Sequence, residues 1–361
     1  MHGRHQPLQG RRLGILTFHR CINYGSYWQA RCLVDGLQAM GAEAVLLDHQ
    51  SPAATSAEIR CAFRPTLPQP TPRSDFAAYG RKTRKFLEAF SHLPLSPAFP
   101  LGQPEEMEEY DAIIVGSDEV WNLCHPWYGG CPTFYGSGLR GRVVSYAASF
   151  GNQDAADGLA AYWADRLRGF AALSVRDENS RAMVRSALGV DPALVLDPCL
   201  QFPPHFDGGE SEGEGRLVVY GHNFPSWFCD HVREWARKGG RRIVSIGYRN
   251  DWADEQRLSA GPHEFAHLMA SADAVVTSFF HGCVFALLTQ RPFLTAPSPY
   301  RANKVRDLMH RLGLKHRLAT PEADSKVYAS LLDEPLDGGV GERLSHLRQG
   351  SADYLFGALV P

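Results

Sequence analysis

The sequence predicts an α/β protein of two αβα halves, each built on a parallel sheet, with a cleft between the carboxyl ends of the two sheets. Three observations predict it. Short apolar runs alternate with helical stretches along most of the chain. The alternation is interrupted within 51–108 and again at "PPHFDGGESEGEG" (203–215), a linker-like stretch rich in proline, glycine and acid. The 361 residues are enough for about two domains with a core each. The expected division is 1–205 and 206–361, with a proline-rich and helical insertion at 51–108 inside the first domain.

Each element follows from its own residues. "RLGILTF" (12–18) is an apolar strand, and the loop "HRCINYGSYWQ" follows it. Leu33, Val34, Leu37 and Met40 recur at spacings of three and four, which marks a helix. Gly41 ends it, and "AEAVLLDH" is the next strand, so the first unit is βαβ and its strands are parallel. In the insertion, "FRPTLPQPTP" and "LPLSPAFPLGQP" are irregular. The stretch between them, "SDFAAYGRKTRKFLEAF", is an amphipathic helix whose basic face is either solvated or turned to an anionic partner. "YDAIIVGSDEVWN", "RVVSYAASFG", "AALSVRDENSRAMVRSALG" and "PALVLDP" complete the first series. The second runs "RLVVYGH", "SWFCDHVREWARKGG", "RRIVSIGY", "HEFAHLMASAD", "AVVTS", "FHGCVFALLTQ" and "PFLTAP". Helices near "NKVRDLMHRLGL" and in "RLSHLRQGSADYLFGAL" close the chain.

Composition excludes several classes. Hydrophobic residues are 44% and charged residues 21%, as in an ordinary globular protein. The formal net charge of −2 argues against a nucleic-acid binder. The eight cysteines are scattered with no CxxC pair, which reads as reduced thiols in the cytosol. "MHGRHQPLQGRR" has no apolar core of a signal peptide. No run reaches the roughly 18–20 apolar residues of a membrane span. A peripheral membrane contact stays open.

Four stretches carry candidate chemistry. "HEFAH" (263–267) matches the HExxH zinc pattern, but it opens a short helix after Gly261-Pro262 and no third ligand stands out, so it reads as a surface helix and no metal is expected. Asn23, Gly25 and Ser26 suit a tight turn into a helix N-terminus, which could face an anion or serve turn chemistry alone. Arg176 in "SVRDENS" either pairs with Asp177 or clamps an anion with its guanidinium fork. His281 in "TSFFHG" stands where a strand becomes a helix, between an apolar wall of Phe279 and Phe280 and the permissive Gly282. That is the side of an open α/β sheet where ligands bind, which favours a catalytic histidine over a core one.

These segments, in this order, resemble the polysaccharide pyruvyl transferase family. The matching stretches are "GILTFHRCINYGSYWQA", "YDAIIVGSDEVWN", "VVSYAASFG", "LSVRDENS", "VLDPCL", "EFAHLMASADAVVTSFFHG" and "RANKVRDLMHRLGL", which together cover most of residues 13–315. Each is weakly specific alone; the ordered set is not. The resemblance implies two Rossmann-like domains of the GT-B type. It implies transfer of a pyruvyl group from phosphoenolpyruvate to hydroxyls of a sugar in a bacterial surface polysaccharide or its lipid-linked precursor, forming a ketal. Phosphoenolpyruvate is then a co-substrate and no cofactor is needed. The expected place is the cytoplasm, where a lipid-linked acceptor would bring the enzyme to the inner face of the membrane.

By the same resemblance, His281 is the general acid/base. Arg176, Lys304, Gly282 and Arg301 lie on the donor side. Asn23, Tyr24, Gly25, Asp118 and Trp121 lie on the acceptor side. One position departs from the pattern: well-studied members carry arginine two residues before the HG histidine, and here it is Phe279. Arg249, Arg291 and Arg301 are candidates to supply the missing contact. The alternatives are a GT-B glycosyltransferase that uses a nucleotide sugar, and a family member with a non-polysaccharide acceptor. A non-catalytic glycan-binding module would show exposed aromatic platforms on a β-rich scaffold, which the chain does not suggest.

Overall fold

A computed structural model describes residues 8–65, 67–205, 215–298 and 302–360. The first elements are β1 (Arg12–Leu16), α1 (Tyr24–Ala39), β2 (Glu43–Leu46), β3 (His49–Gln50), α2 (Pro52–Phe63), α3 (Phe76–Ser91), β4 (Phe99–Pro100) and β5 (Ala112–Val115). Next come β6 (Arg142–Ser145), α4 (Ala161–Leu167), β7 (Ser174–Val175), α5 (Glu178–Leu188), β8 (Ala193–Leu194) and α6 (Pro198–Gln201). The remainder is β9 (Arg216–Tyr220), α7 (Ser226–Lys238), β10 (Arg242–Ile246), β11 (Glu255–Arg257), α8 (Pro262–Ala270), β12 (Ala274–Thr277), α9 (Phe280–Leu288) and β13 (Phe293–Thr295). Three helices end the chain: α10 (Ala302–Arg311), α11 (Ser325–Asp333) and α12 (Gly339–Leu359).

The contacts divide the chain into two units. The first holds the residues up to Ala57, His92–Pro204 and the residues from Leu344 on; the second holds Glu58–Ser91 and His205–Arg343. The first unit carries the sheet β2-β1-β5-β6, all parallel, with Gly14 opposite both Val45 and Ile113. The second carries β11-β10-β9-β12-β13, also all parallel. Every residue of β5 and β12 is buried, as expected of parallel strands covered on both faces. Trp121, Phe134, Phe150 and Phe170 anchor the first core. Phe228, Val232 and Trp235 from α7 pack on Leu217 and Val219 of β9 in the second.

Two segments do not follow chain order. The sequence reading places all of 51–108 with the first domain, yet α3 belongs to the second unit. Side chains decide this. Lys82 Nζ donates to Gly247 O at 3.1 Å, Lys85 Nζ to Glu264 of α8 at 2.6 Å, and Asp75, just before α3, takes the Arg249 fork at 2.5 and 2.6 Å. The expected basic face of α3 is thus neither simply solvated nor a free platform. At the other end, the sequence reading keeps the last helix with the second domain, but α12 from Leu344 on belongs to the first unit. Arg348 Nε donates to Leu200 O at 2.6 Å, and the Tyr354 hydroxyl donates to Ser145 O at 2.6 Å. Ser351 Oγ accepts from Leu196 N at 2.9 Å. Among the described residues, no helix is long and apolar enough to cross a membrane.

Candidate active site

In the second unit the strand β12 passes directly into α9, with Phe279 as the N-cap. His281 is the second residue of α9 and is half-buried, while its neighbours Phe279, Phe280 and Gly282 are buried. The glycine is dictated by a close approach. A Cβ on Gly282 would lie 1.9 Å from Thr277 Oγ1. That hydroxyl is itself committed: it donates to Tyr220 O at 2.6 Å and accepts from Phe279 N at 3.0 Å. The first turn of α9 is therefore pressed onto the end of β12, and this fixes where His281 leaves the backbone. Phe279 puts no side-chain acceptor against the helix start, whose dipole is positive. The next residue, Cys283, is no nucleophile: burial pushes its thiol up to about 12, so it stays protonated near neutral pH.

Phe279 does not leave a gap where the family pattern has a cation. Its ring meets Tyr220, His222 and Tyr248 edge-to-face, with centroids 4.9, 5.2 and 5.3 Å away. These rings cap the carboxyl ends of β9, β10 and β12. Gly221 at the end of β9 is in the left-handed region (φ 148°), and a Cβ there would meet Ser278 Oγ at 2.3 Å. Ser278 Oγ also accepts from His222 N at 3.1 Å, which stitches the two strand ends together. An amine does reach this cluster, from a place that sequence reasoning missed. Lys82 of α3 is buried, with Nζ 4.6 Å from the Tyr248 ring centroid. Burial pushes its amine down to about 7. The only trace in the sequence is a lysine on a helix that looks solvated.

The other expected donor residues part company. Lys304 lies in the first turn of α10, half-buried, and α10 packs beside α9. Of the candidates to replace the missing arginine, Arg249 is held by Asp75 and by Asp251 at 3.0 Å. Arg291 donates to Ala270 O at 2.6 Å. Arg301 lies outside the described residues. In "HEFAH", Glu264 reaches back to accept from the N-cap Gly261 N at 2.7 Å and pairs with Lys85, so its role is to start α8.

In the first unit the quoted motifs converge on one buried network. Asn23 caps α1 by accepting from Gly25 N and Ser26 N at 2.8 and 3.2 Å. The Ser26 hydroxyl donates to Asp118 Oδ2 at 2.7 Å. Asp118 Oδ1 takes one arm of Arg176 at 3.0 Å, and Asp197 takes another at 3.1 Å. Neither sequence reading of Arg176 holds as stated. Its partners are not Asp177, which instead caps α5 through Ser180 N and accepts from the Ser149 hydroxyl. Nor is it an open clamp, because its side chain is 1% exposed and faces two carboxylates. Burial disfavours the cation, but Asp118 and Asp197 outweigh that and raise its pKa well above the ordinary value. Tyr24 and Trp121, expected at the acceptor, are fully buried. The Trp121 indole donates to Phe134 O at 2.9 Å and its ring packs on Phe150 and Phe170. The GSD…W spacing thus sets a core tryptophan beside a polar loop.

A second buried network sits past β1. His19 Nε2 lies 3.2 Å from Asp48 Oδ1, and Arg20 grips both Asp48 oxygens at 2.6 and 2.7 Å. Burial pushes the Asp48 carboxyl up, but the hydrogen bonds from His19 and Arg20 hold it well below the usual range. His49 accompanies them, and burial lowers its pKa to about 3, so it is neutral. Nothing local marks this set, since the "HR" and "DH" pairs are about 30 residues apart.

The model of the family "Polysaccharide pyruvyl transferase" matches residues 23–296. No curated protein matches the chain in sequence. Among solved structures, the chain is similar to the UDP-GlcNAc 2-epimerase of Methanocaldococcus jannaschii, with 12% identity, 92% of this chain and 98% of that chain covered, and a TM-score of 0.50. It is also similar to the glycosyltransferase SnogD from Streptomyces nogalater (14% identity, 96% of each chain, TM-score 0.48). The heptosyltransferase WaaC of E. coli is a third, at 15% identity, 81% and 91% coverage and a TM-score of 0.40. At these identities the likeness is one of fold alone, an α/β architecture with parallel sheets. By the family match over most of its length, this chain is a transferase of the polysaccharide pyruvyl transferase family.

Proposed function

We propose that the protein transfers the pyruvyl group of phosphoenolpyruvate to two hydroxyls of a sugar, with His281 as the general acid/base. One observation carries the reading: His281 is half-buried on the first turn of α9, at the carboxyl edge of a parallel sheet, and is set there by the contact of Gly282 with Thr277. The chemistry needs one such group. A proton passes to the methylene carbon of the donor, which becomes a methyl group, and C2 becomes electrophilic. A sugar hydroxyl attacks C2 and the C2–O bond to phosphate breaks. A second hydroxyl then closes the ketal. Of the two hydroxyl protons, one restores His281 and the other leaves with phosphate.

The donor carries phosphate and carboxylate, so it favours positive surroundings. Lys304 and the N-terminal end of α9 are the groups of this unit that we assign to it. Gly282 serves by letting the turn close. Arg176 acts at one remove, by holding the Asp118 loop. That loop and the Asn23–Gly25 turn keep the acceptor assignment, without Tyr24 and Trp121.

Calorimetry with phosphoenolpyruvate and with UDP tests the donor before any acceptor is known. The expected result is binding of phosphoenolpyruvate that weakens in Lys304→Ala. Binding of UDP with none of phosphoenolpyruvate would favour a nucleotide-sugar glycosyltransferase instead. Release of inorganic phosphate on adding a sugar acceptor then tests the transfer itself.

A further inference from the structure

The second unit holds a cavity of about 160 Å³ that the reaction does not use. It lies past the carboxyl ends of β9 and β10, lined on one side by Asn223, Phe224 and residues 249–252, and on the other by the proline-rich stretch 67–72. The two walls are far apart in sequence, yet their spacing is fixed. Arg249, from one wall, grips both oxygens of Asp75, just beyond the other, at 2.5 and 2.6 Å. A two-point ion pair of this kind is directional as well as strong. The cavity is therefore preformed.

Its chemistry is specific. The Phe224 and Trp252 rings are both partly exposed and stand nearly perpendicular, with centroids 5.8 Å apart and 85° between planes. Around them are amides, with Gln69 and Asn223 exposed at the rim. Perpendicular rings cannot sandwich a flat base. They can offer one face to the C–H side of a saturated ring while amides meet the hydroxyls on its edge. The charge excludes an anion. One guanidinium faces two carboxylates, Asp75 and Asp251, so phosphate finds no free cation in this lining. The size suits one ring, not an extended chain.

From this we infer that the cavity between Trp252, Phe224 and the 67–72 stretch binds a neutral pyranose. The inference rests on the proposed function only for which sugar-bearing molecule arrives, since sugar binding is measured without donor or turnover. Saturation-transfer NMR on the whole protein with the methyl glycosides of glucose, galactose, mannose and N-acetylglucosamine is the test. We expect at least one to bind in the millimolar range, with transfer strongest at the protons of one ring face. Trp252→Leu is expected to weaken it at least tenfold. Gln69→Ala and Asn223→Gly remove exposed side chains and leave the core alone, so each should weaken binding severalfold in a protein that melts like wild type. No transfer with any glycoside, or transfer undiminished in all three variants, overturns the inference. Sugar binding that persists when phosphoenolpyruvate binding is absent would overturn the donor assignment and leave this site standing.

Discussion

His281→Gln separates the two things that a histidine on the first turn of α9 can do. Glutamine fills similar space and can hydrogen-bond, but it cannot move a proton near neutral pH. If His281 is the acid/base, kcat falls by roughly 10²- to 10⁴-fold while melting temperature and phosphoenolpyruvate affinity stay close to wild type. An early-melting variant that turns over normally would return His281 to packing. Arg176 behaves in the opposite way. Its charge is buried against Asp118 and Asp197, so Arg176→Met leaves two buried carboxylates facing each other. Breaking a buried pair from one side costs on the order of 3–5 kcal/mol, and denaturant titration should show a loss of that size. A stable variant with weakened donor binding would restore the clamp that the sequence suggested.

Among the elements, α3 makes the sharpest claim, because it seats a lysine under the rings that cap the sheet. Burial holds Lys82 near 7, well below its ordinary value near 10.5. The unfolded chain therefore binds more protons than the folded one between these values, and stability rises with pH across that window. Below about pH 7 both states are protonated and the full cost of burying the charge remains. Compared with Lys82→Met, the wild type should gain on the order of 3 kcal/mol between about pH 7 and about pH 9.5. Urea midpoints of both proteins at several pH values check this. Parallel curves would mean that the amine reaches water.

For the molecule as a whole, the grouping of distant segments predicts how it unfolds. Amides of α3 should exchange with those of β9, β10 and β12, and amides of α12 beyond Leu344 with those of β1, β5 and β6. Ending the chain at Arg343 removes Arg348, Ser351 and Tyr354 from their partners in the first unit. Hydrogen exchange should then show the first sheet losing protection while the second keeps it. Equal loss in both would mean that α12 stabilises the chain in some other way.

The sequence by itself determined whatever acts over a few residues. The βα alternation, the Asn23 turn, the helix end at Gly41 and the Gly282 turn are local choices of period, cap and backbone freedom, and they are legible in one dimension. The ordered motifs also placed the chain in its family. Only the tertiary structure decided which side chains are spent and which are available. Arg176 finds Asp118 across 58 residues and Asp197 across 21. Lys82 reaches Gly247 across 165, and Arg249 reaches Asp75 across 174. Trp121 and Tyr24 looked like binding residues and proved to be core. The reason is physical. A charged or aromatic side chain is a contact or a ligand site according to what packs over it, and burial depends on segments that no local pattern contains.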